Sequence, residues 1–147
     1  MFKHLLLPTD GSPLSDIATE KGIALARSVG AKVTGVHVMP EYHPLSYRID
    51  TLQSSQHDFK MDGQSHAATY LNKMAQAAIE ARVPCDTVAV MGDHAYEKII
   101  AEAVKRDCDL IVMASHGRKG IQALLLGSET HKVLTHTKIP VLVFHSD

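Results

Sequence analysis

The chain has 147 residues, enough for one domain over residues 1–147 with a full hydrophobic core, but not for two. Apolar residues make up 45% and charged residues 21%, which is ordinary for a globular protein. The formal net charge of −1 disfavours a general nucleic-acid-binding protein, because such proteins are usually basic. No apolar run is long enough for a bilayer, and the N-terminal one is too short for a signal peptide. We therefore expect a cytoplasmic protein without membrane contact.

The first half of the chain predicts two strands and two helices. The first strand runs from Lys3 to Leu7, and Ser12 then caps a helix that has proline at its first position. That helix would stop at Gly30, and its predicted apolar face consists of Leu14, Ile17, Ala18, Ala24 and Leu25. The second strand spans 32–39, and the polar segment 40–56 reads as a long loop. A helix from about Phe59 to Ala81 follows, with an apolar face of Ala67, Tyr70, Leu71, Met74, Ala77, Ala78 and Ala81.

The second half continues the alternation. A third strand at 86–91 precedes an amphipathic helix whose apolar positions are Tyr96, Ile99, Ile100, Ala103 and Val104. A fourth strand at 110–113, a short helix from Gly127-Ser128 to near His136, and a fifth strand at 140–144 complete the pattern. It predicts an α/β fold, a single doubly wound domain with a five-stranded, mostly parallel sheet and helices on both faces.

Cysteines and histidines give no sign of a dedicated metal site. Cys85 and Cys108 each lie at the start of a predicted strand, so we expect two reduced, buried thiols. The ten histidines are scattered, without zinc-finger spacing and without His-Glu-x-x-His. We expect surface or loop histidines, with an adventitious metal site as the alternative.

Ligands of such sheets bind at the carboxyl ends of the strands, near the switch in strand order. This rule selects residues 8–12 after the first strand and residues 113–117 after the fourth. If those strands are neighbours, as in doubly wound sheets, the two segments face one crevice, with Val38 and Met39 at its edge.

The segment from Ala114 to Ser128 is typical of an anion-binding loop. Gly117, Gly120 and Gly127 lie between a buried strand and a helix start, where backbone N–H groups can approach a phosphate. Ordinary turn glycines followed by a helix cap are the alternative. The spacing is not that of a P-loop, and no Gly-x-Gly-x-x-Gly follows the first strand, which disfavours the usual dinucleotide fold.

The polar residues beside this loop each have two interpretations. Asp10 could hold a ribose hydroxyl or a metal bound to phosphates, or it could cap its own turn. Arg118 and Lys119 could be solvated charges or phosphate neighbours. His116 has no carboxylate or nucleophile placed beside it by the sequence, so we expect a loop role and assign no catalytic residue.

On these residues the chain resembles the universal stress proteins, over essentially its whole length. The resemblance includes Leu-Leu-Pro-Thr-Asp-Gly-Ser, Val-His-Val, Ile-Val-Met-Ala-Ser-His-Gly-Arg-Lys-Gly, Leu-Leu-Leu-Gly-Ser-Glu-Thr-His-Lys-Val-Leu and Lys-Ile-Pro-Val-Leu-Val. Gly117 matches the second glycine of the family's ATP motif, Gly-x2-Gly-x9-Gly-[Ser/Thr], and Gly127-Ser128 matches its end. Ala114 replaces the first glycine. Its methyl group is tolerated unless φ is positive or a phosphate packs on the α-carbon.

The resemblance implies a sheet of order 3-2-1-4-5, an ATP site and a homodimer. Pro8, Thr9 and Asp10 would line the ribose and phosphate region, and Mg²⁺ or Mn²⁺ would reach Asp10 through the nucleotide. Val38 would meet the adenine through its backbone, with Met113 beneath. The residues implied around the phosphates are Ala114, His116, Gly117, Arg118, Lys119, Gly127, Ser128 and Glu129. The last strand, Val141–Phe144, would pair with its twin and so remove an exposed sheet edge.

We therefore expect an ATP-binding stress-response or signalling protein in which the nucleotide is a regulatory ligand. One alternative is a slow ATPase or autophosphorylating enzyme, in which Ser128 or a nearby hydroxyl takes the phosphoryl group. The other is a nucleotide-free dimeric adaptor, in which Ala114 has disabled the site.

Overall fold

Five parallel strands form one sheet at the centre of the molecule. The computed structural model describes residues 1–41, 49–117 and 126–146, the side chains of 49–56 excepted. The strands are β1 (His4–Pro8), β2 (Lys32–Met39), β3 (Cys85–Met91), β4 (Leu110–Ala114) and β5 (Val141–Phe144). Their spatial order is β3-β2-β1-β4-β5 with parallel pairing throughout, which confirms the expected topology.

The strand order switches at β1, and the neighbouring strands separate there. β1 pairs with β2 along its whole length, but with β4 only through Leu5 and Leu6. Both strands continue beyond this pairing, to Pro8 and Ala114. The backbone therefore opens a crevice at the carboxyl ends of β1 and β4, where ligands of open α/β sheets bind.

Four helices cover the sheet, two on each face: α1 (Pro13–Val29), α2 (Ile49–Glu80), α3 (Ala95–Lys105) and α4 (Ser128–His136). Leu5 and Leu7 of β1 contribute to the core under α1 and α2, whereas Leu6 contributes to the core under α3 and α4. This split follows the alternation of side chains along a strand. In the part of the chain that the structure describes, no helix combines the length and apolarity needed to cross a membrane.

α1 has the predicted ends but a different buried face. The Ser12 side chain accepts a hydrogen bond from the Ser15 N–H, and Gly30 closes the helix at φ +72°. Of the predicted face, Ala18 is buried and Leu25 is half-buried against the core, but Ile17 is 44% exposed. The buried residues of the helix are Ser15, Ala18, Thr19, Gly22, Ile23 and Ala26. The helix lies so close to the sheet that a β-carbon at Gly22 would be 2.6 Å from Leu7 Cδ2. Close packing therefore selects small residues and moves larger ones to the flanks.

α2 begins at Ile49, so the expectation of an irregular loop is wrong for residues 49–56, while residues 42–48 lie outside the described part. The N-terminal part of its described surface is mostly exposed, and an exposed helix needs no apolar periodicity. The predicted face further along is confirmed, with Ala67, Leu71, Met74 and Ala78 buried. In α3, Ile99 and Ala103 are buried as predicted, but Val104 is 62% exposed because it lies beside the face that packs on the sheet.

The histidine and cysteine predictions require two corrections. His4 lies in β1 rather than on a surface or loop, and its Nε2 is 2.8 Å from Thr34 Oγ1. Burial and the nearby Lys32 lower its pKa. Cys108 is buried as predicted, and burial raises its pKa to about 11, whereas Cys85 is only half-buried because β3 is an edge strand. Both thiols are free.

Candidate functional site

The loop after β1 is held by hydrogen bonds within itself and to its neighbours. The Thr9 N–H donates to Val36 O at 2.9 Å, which fixes the loop to β2. Thr9 Oγ1 accepts from the Gly11 N–H at 3.2 Å and from Ser15 Oγ at 3.1 Å. Thr9 is buried, so these bonds satisfy a polar side chain inside the fold. The loop therefore has a defined shape before any ligand arrives.

Asp10 both shapes its own turn and contacts the loop after β4. Its Oδ1 accepts a hydrogen bond from the Ser12 N–H at 2.9 Å, which is the local capping role considered from the sequence. A β-carbon placed on Gly117 would be 2.5 Å from Asp10 Oδ2. The carboxylate thus lies against the Gly117 α-carbon, and the two predicted loops meet in the crevice.

Residues 126–130 return to the end of β4. The Gly127 N–H donates to Ser115 O at 2.6 Å, and Thr130 Oγ1 donates to Ala114 O at 2.9 Å. The Ser115 N–H in turn donates to Phe144 O at 2.8 Å, which links this end of β4 to β5. These bonds place the start of α4 beside the loop that carries Gly117. Ala114 is the last residue of β4, in the extended conformation of a strand, so its methyl group meets no positive-φ strain.

α4 begins without a side-chain cap. Its N-cap residue is Gly127, at φ −70° and ψ 160°, and no side chain among the described residues hydrogen-bonds there. Ser128 is exposed at the first helical position. The first N–H groups of a helix have no intrahelical acceptor and carry a partial positive charge. The start of α4 can therefore receive an anion.

Glu129 has a role that sequence reasoning missed. Its Oε2 accepts a hydrogen bond from the Tyr96 N–H at 2.9 Å, in the first turn of α3. Its Oε1 lies 3.8 Å from Lys132 Nζ, and the same ammonium lies 5.5 Å from the Tyr96 ring centre. The Glu129 carboxylate thus caps α3 and ties it to α4, whereas the resemblance implied only a place around the phosphates.

Val38 presents backbone groups at the edge of the crevice. Along β2 the groups alternate: Val36 O accepts from β1, whereas Met39 O accepts from the Gly92 N–H after β3. The N–H and C=O of Val38 therefore point to the same side as those of Val36, beyond the end of β1 at Pro8. A flat polar ligand could pair with these groups as a further strand would.

Two buried polar atoms at the end of β4 have no hydrogen-bond partner among the described residues, Ser115 Oγ and His116 Nδ1. His116 is buried rather than exposed, and its Nδ1 would be 3.6 Å from a β-carbon on Gly127. His116 lies in the loop after β4, as expected, but it is buried there because its ring packs against the start of α4.

Most of the predicted site residues lie around one crevice. Arg118, Lys119 and Gly120 fall outside the described residues. The residues at the ends of the three strands and at the start of α4 are Pro8, Thr9, Asp10, Val38, Met113, Ala114, His116, Gly117, Gly127, Ser128 and Glu129. Sequence reasoning missed Ser15, His37, Tyr70 and Tyr96. For His37 the Val-His-Val segment was a signal. Ser15 acts through a local contact with Thr9, whereas Tyr70 and Tyr96 act through contacts between distant elements.

Comparisons with known proteins point to one family. Residues 1–145 match the sequence profile described as the universal stress protein family. A relative, universal stress protein MJ0531 from Methanocaldococcus jannaschii, is 31% identical over 144 residues, covering 97% of this chain and 82% of the relative.

Solved structures agree on the fold. The chain is similar to protein MJ0577 of M. jannaschii, with a TM-score of 0.84 and 26% identity, covering 100% of this chain and 98% of the other. It is also similar to a universal stress protein in complex with cAMP, with a TM-score of 0.73, 24% identity and 99% of each chain covered. At that identity the second likeness shows the fold alone.

Proposed function

We propose that this chain, which belongs to the universal stress protein family, binds ATP in the crevice between β1 and β4 and uses it as a regulatory ligand. The observation that carries the proposal is the contact of Asp10 with Gly117 beside the uncapped start of α4. A carboxylate loop, a glycine loop and a helix start that no described side chain caps meet there, the parts that a ribose and a phosphate chain require. A structural neighbour of the same fold was solved in complex with cAMP, so the fold can accommodate an adenine nucleotide.

The phosphates would lie at the start of α4. Gly127 is buried, and a β-carbon on it would be 3.1 Å from Ser115 O, so a side chain is disfavoured there. Without a side chain, the backbone N–H groups that follow stay open to an anion. The strand conformation of Ala114 supports a working site despite the missing first glycine, and so argues against the adaptor alternative.

The base would lie against the end of β2. The Val38 backbone offers one donor and one acceptor beyond Pro8. Met113 is buried in β4, on the other side of β1 from β2. An adenine presents a donor and an acceptor on one edge, which matches this pair of backbone groups. This match supports adenine as the base, and it does not bear on the number of phosphates.

A divalent cation fits this crevice only as a companion of the nucleotide. Among the described residues, no group of three or more His, Cys, Asp and Glu side chains could hold a metal ion. Mg²⁺ is commonly held by one or two carboxylates together with phosphates and water, and Asp10 supplies one carboxylate beside Gly117. The ion would neutralise phosphate charge, and Asp10 is the residue that would contact it.

Mass spectrometry of the purified and then denatured protein tests the ligand and its fate. We expect released ATP and an unmodified chain. Released ADP or a phosphorylated serine would overturn the regulatory-ligand proposal in favour of slow hydrolysis or autophosphorylation. Absence of nucleotide, together with no calorimetric signal on adding ATP and Mg²⁺, would overturn nucleotide binding and favour the adaptor.

A Gly117→Ala variant tests the location of the site. Its β-carbon would displace the Asp10 carboxylate from the place where it would meet the ligand, so we expect ATP affinity to fall by about tenfold, a difference of about 1.4 kcal/mol. Gly63→Ala is the control, because its β-carbon would meet only Met39 Sδ, at 3.9 Å. Equal affinity of the two folded variants would contradict the assignment of this crevice.

We propose a homodimer through β5. β5 is an edge strand, and its Leu142 side chain is 37% exposed. Pro140 O and Phe144 O accept hydrogen bonds from the chain around β4, so alternation directs the groups of Val141 and Val143 outward. Pairing of two such edges would satisfy those groups.

A Val143→Pro variant should therefore give a folded monomer in light scattering, because it removes an outward N–H. Leu142→Pro is the matched comparison, since it removes a donor that points to β4 and should lower stability instead. A Val143→Pro variant that remains a dimer would contradict this interface.

A further inference from the structure

A side chain of α2 packs directly on the loop that follows β1. The Tyr70 ring lies so close to the α-carbon of Gly11 that a β-carbon there would overlap it. Gly11 has φ +78°, in the left-handed region that favours glycine. Any residue other than glycine at position 11 would place its β-carbon where the Tyr70 ring lies. The close contact between the loop and the ring therefore requires Gly11.

His37 links the same ring to the same loop from β2. Its Nδ1 is 2.8 Å from Thr9 O. A carbonyl oxygen only accepts hydrogen bonds, so Nδ1 carries the proton and donates it to Thr9. The imidazole meets Tyr70 edge-on, with ring centres 5.2 Å apart. Thr9, Gly11, His37 and Tyr70 thus form one contact group, here termed the latch.

α2 is anchored where it carries Tyr70. Lys73 Nζ lies 2.7 Å from Asp16 Oδ2 in the first turn of α1. Met74 is buried against Gly35 of β2, directly beneath the helix. These two contacts, one turn beyond Tyr70, fix the height of the helix over the sheet. The position of the Tyr70 ring is therefore set by the scaffold rather than by the loop.

We propose that Tyr70 and His37 are positioning residues of the nucleotide site, which hold the Thr9–Gly11 backbone in its binding shape. The nucleotide part of this inference rests on the proposed function. His37 and Tyr70 act through the loop, because they contact Thr9 and Gly11. The Asp10 side chain lies instead against Gly117. A loop already ordered in the free protein loses less conformational entropy on binding, which raises affinity without a new ligand contact.

The test compares three variants: Tyr70→Ala and Tyr70→Phe on α2, and Ile99→Ala on α3. The first readout is amide hydrogen exchange of Gly11, the donor to Thr9 Oγ1, in the nucleotide-free protein. Tyr70→Ala should speed this exchange by about tenfold or more through local opening of the loop. It should also weaken ATP binding with Mg²⁺ by about tenfold in calorimetry. Tyr70→Phe should restore both values, because the ring supplies the contact.

Ile99→Ala is the control for stability, because Ile99 is buried in the core under α3 and α4, on the opposite face of the sheet from Tyr70. It should lower the free energy of unfolding by about 2 kcal/mol or more and leave Gly11 exchange and ATP affinity near the wild-type values. Unchanged Gly11 exchange in a folded Tyr70→Ala variant would overturn the latch. If the wild-type protein binds no ATP, the proposed function fails, and the exchange measurement still decides the latch.

Two variants at His37 test the hydrogen bond that His37 donates to Thr9 O. Asparagine can place an N–H near the position of Nδ1, so His37→Asn should keep slow Gly11 exchange and ATP affinity. His37→Leu removes the donor to Thr9 O and should resemble Tyr70→Ala. Wild-type exchange and affinity in His37→Leu would overturn its positioning role.

Discussion

α1 and α4 both begin at the crevice, but their N-termini differ. At α1 the chain satisfies its own donors: Ser12 Oγ accepts from the Ser15 N–H at 3.2 Å, and Asp10 Oδ1 accepts from the Ser12 N–H at 2.9 Å. At α4 the N-cap is Gly127, and within the described residues no side chain caps it. The first turn of α3 also has a side-chain acceptor, because Glu129 Oε2 accepts a hydrogen bond from the Tyr96 N–H.

This difference separates a structural helix start from one suited to a ligand. Unsatisfied N–H groups need an acceptor from the protein, from water or from a ligand. In a capped helix the first N–H groups already have acceptors, so an anion would gain few hydrogen bonds there. The contrast therefore supports placing the phosphates at α4 and leaving α1 to shape the loop that carries Asp10.

The largest expected effect concerns the loop that leads into α1. Gly11→Ala adds a β-carbon at φ +78° that overlaps Tyr70, whereas Gly30→Ala, at φ +72°, places its β-carbon in open space. Left-handed strain costs both variants about 1–2 kcal/mol of unfolding free energy. Overpacking should cost Gly11→Ala about 1–3 kcal/mol more in urea denaturation. Equal losses would contradict a rigid contact with Tyr70.

The second prediction converts the start of α4 into a capped one. Gly127→Asp adds an acceptor and a negative charge where the phosphates would lie, and Gly127→Ala adds the β-carbon alone. The aspartate variant should bind ATP at least about 100-fold more weakly than the alanine variant in calorimetry, a difference of about 2.7 kcal/mol. Similar affinities would place the phosphates away from this helix.

The third prediction removes the cap from α1. Ser12→Ala loses the acceptor for the Ser15 N–H, and loss of an N-cap should lower the unfolding free energy by about 1 kcal/mol. ATP affinity should change by less than about threefold, because the variant keeps the Ser12 N–H that donates to Asp10 Oδ1 and so leaves the Asp10 turn in place. A large loss of affinity with little loss of stability would assign Ser12 to the ligand.

The smallest expected effect lies at the opposite end of β1, away from the crevice. Burial and the nearby Lys32 lower the pKa of His4 from its usual value of 6.5, and Arg106 and Asp109 also face it. Below about pH 6.5 the unfolded state therefore binds more protons than the folded state, and the unfolding free energy falls as pH drops. His4→Gln should flatten this slope in denaturation from pH 7 to 5. An unchanged slope would show that His4 does not contribute.

The sequence predicted the fold well because the sheet depends on local patterns. Short apolar strands, Ser12-Pro13 at a helix start and Gly30 at its end are signals within a few residues. The errors fell where tertiary packing decides. Close approach of α1 to β1 buries Gly22 and exposes Ile17, which reverses the expected preference for large residues. The polar start of α2 carried no periodicity, so a helix there was not distinguishable from a loop.

The site divides in the same way. Gly117, Gly127 and Asp10 could be selected because each follows a strand or opens a helix. The contacts that hold them could not, since they join positions far apart in the chain: His37 reaches Thr9 across 28 residues, and Tyr96 reaches Glu129 across 33. No pattern of spacing within one element predicts such pairs. Sequence reasoning therefore finds the residues that line a site more readily than those that support it.

Because the two cysteines differ in burial, thiol labelling can measure how often the folded chain opens. Cys108 is buried with a pKa of about 11, so a thiol reagent can reach its thiolate only after the chain opens, whereas Cys85 is half-buried at the sheet edge. Labelling of Cys85 would serve as the reference for reagent reactivity in the folded chain, and the slower labelling of Cys108 would time its opening. A ligand that binds only the folded chain would lengthen that time by a factor of 1 + L/Kd, where L is the free ligand concentration.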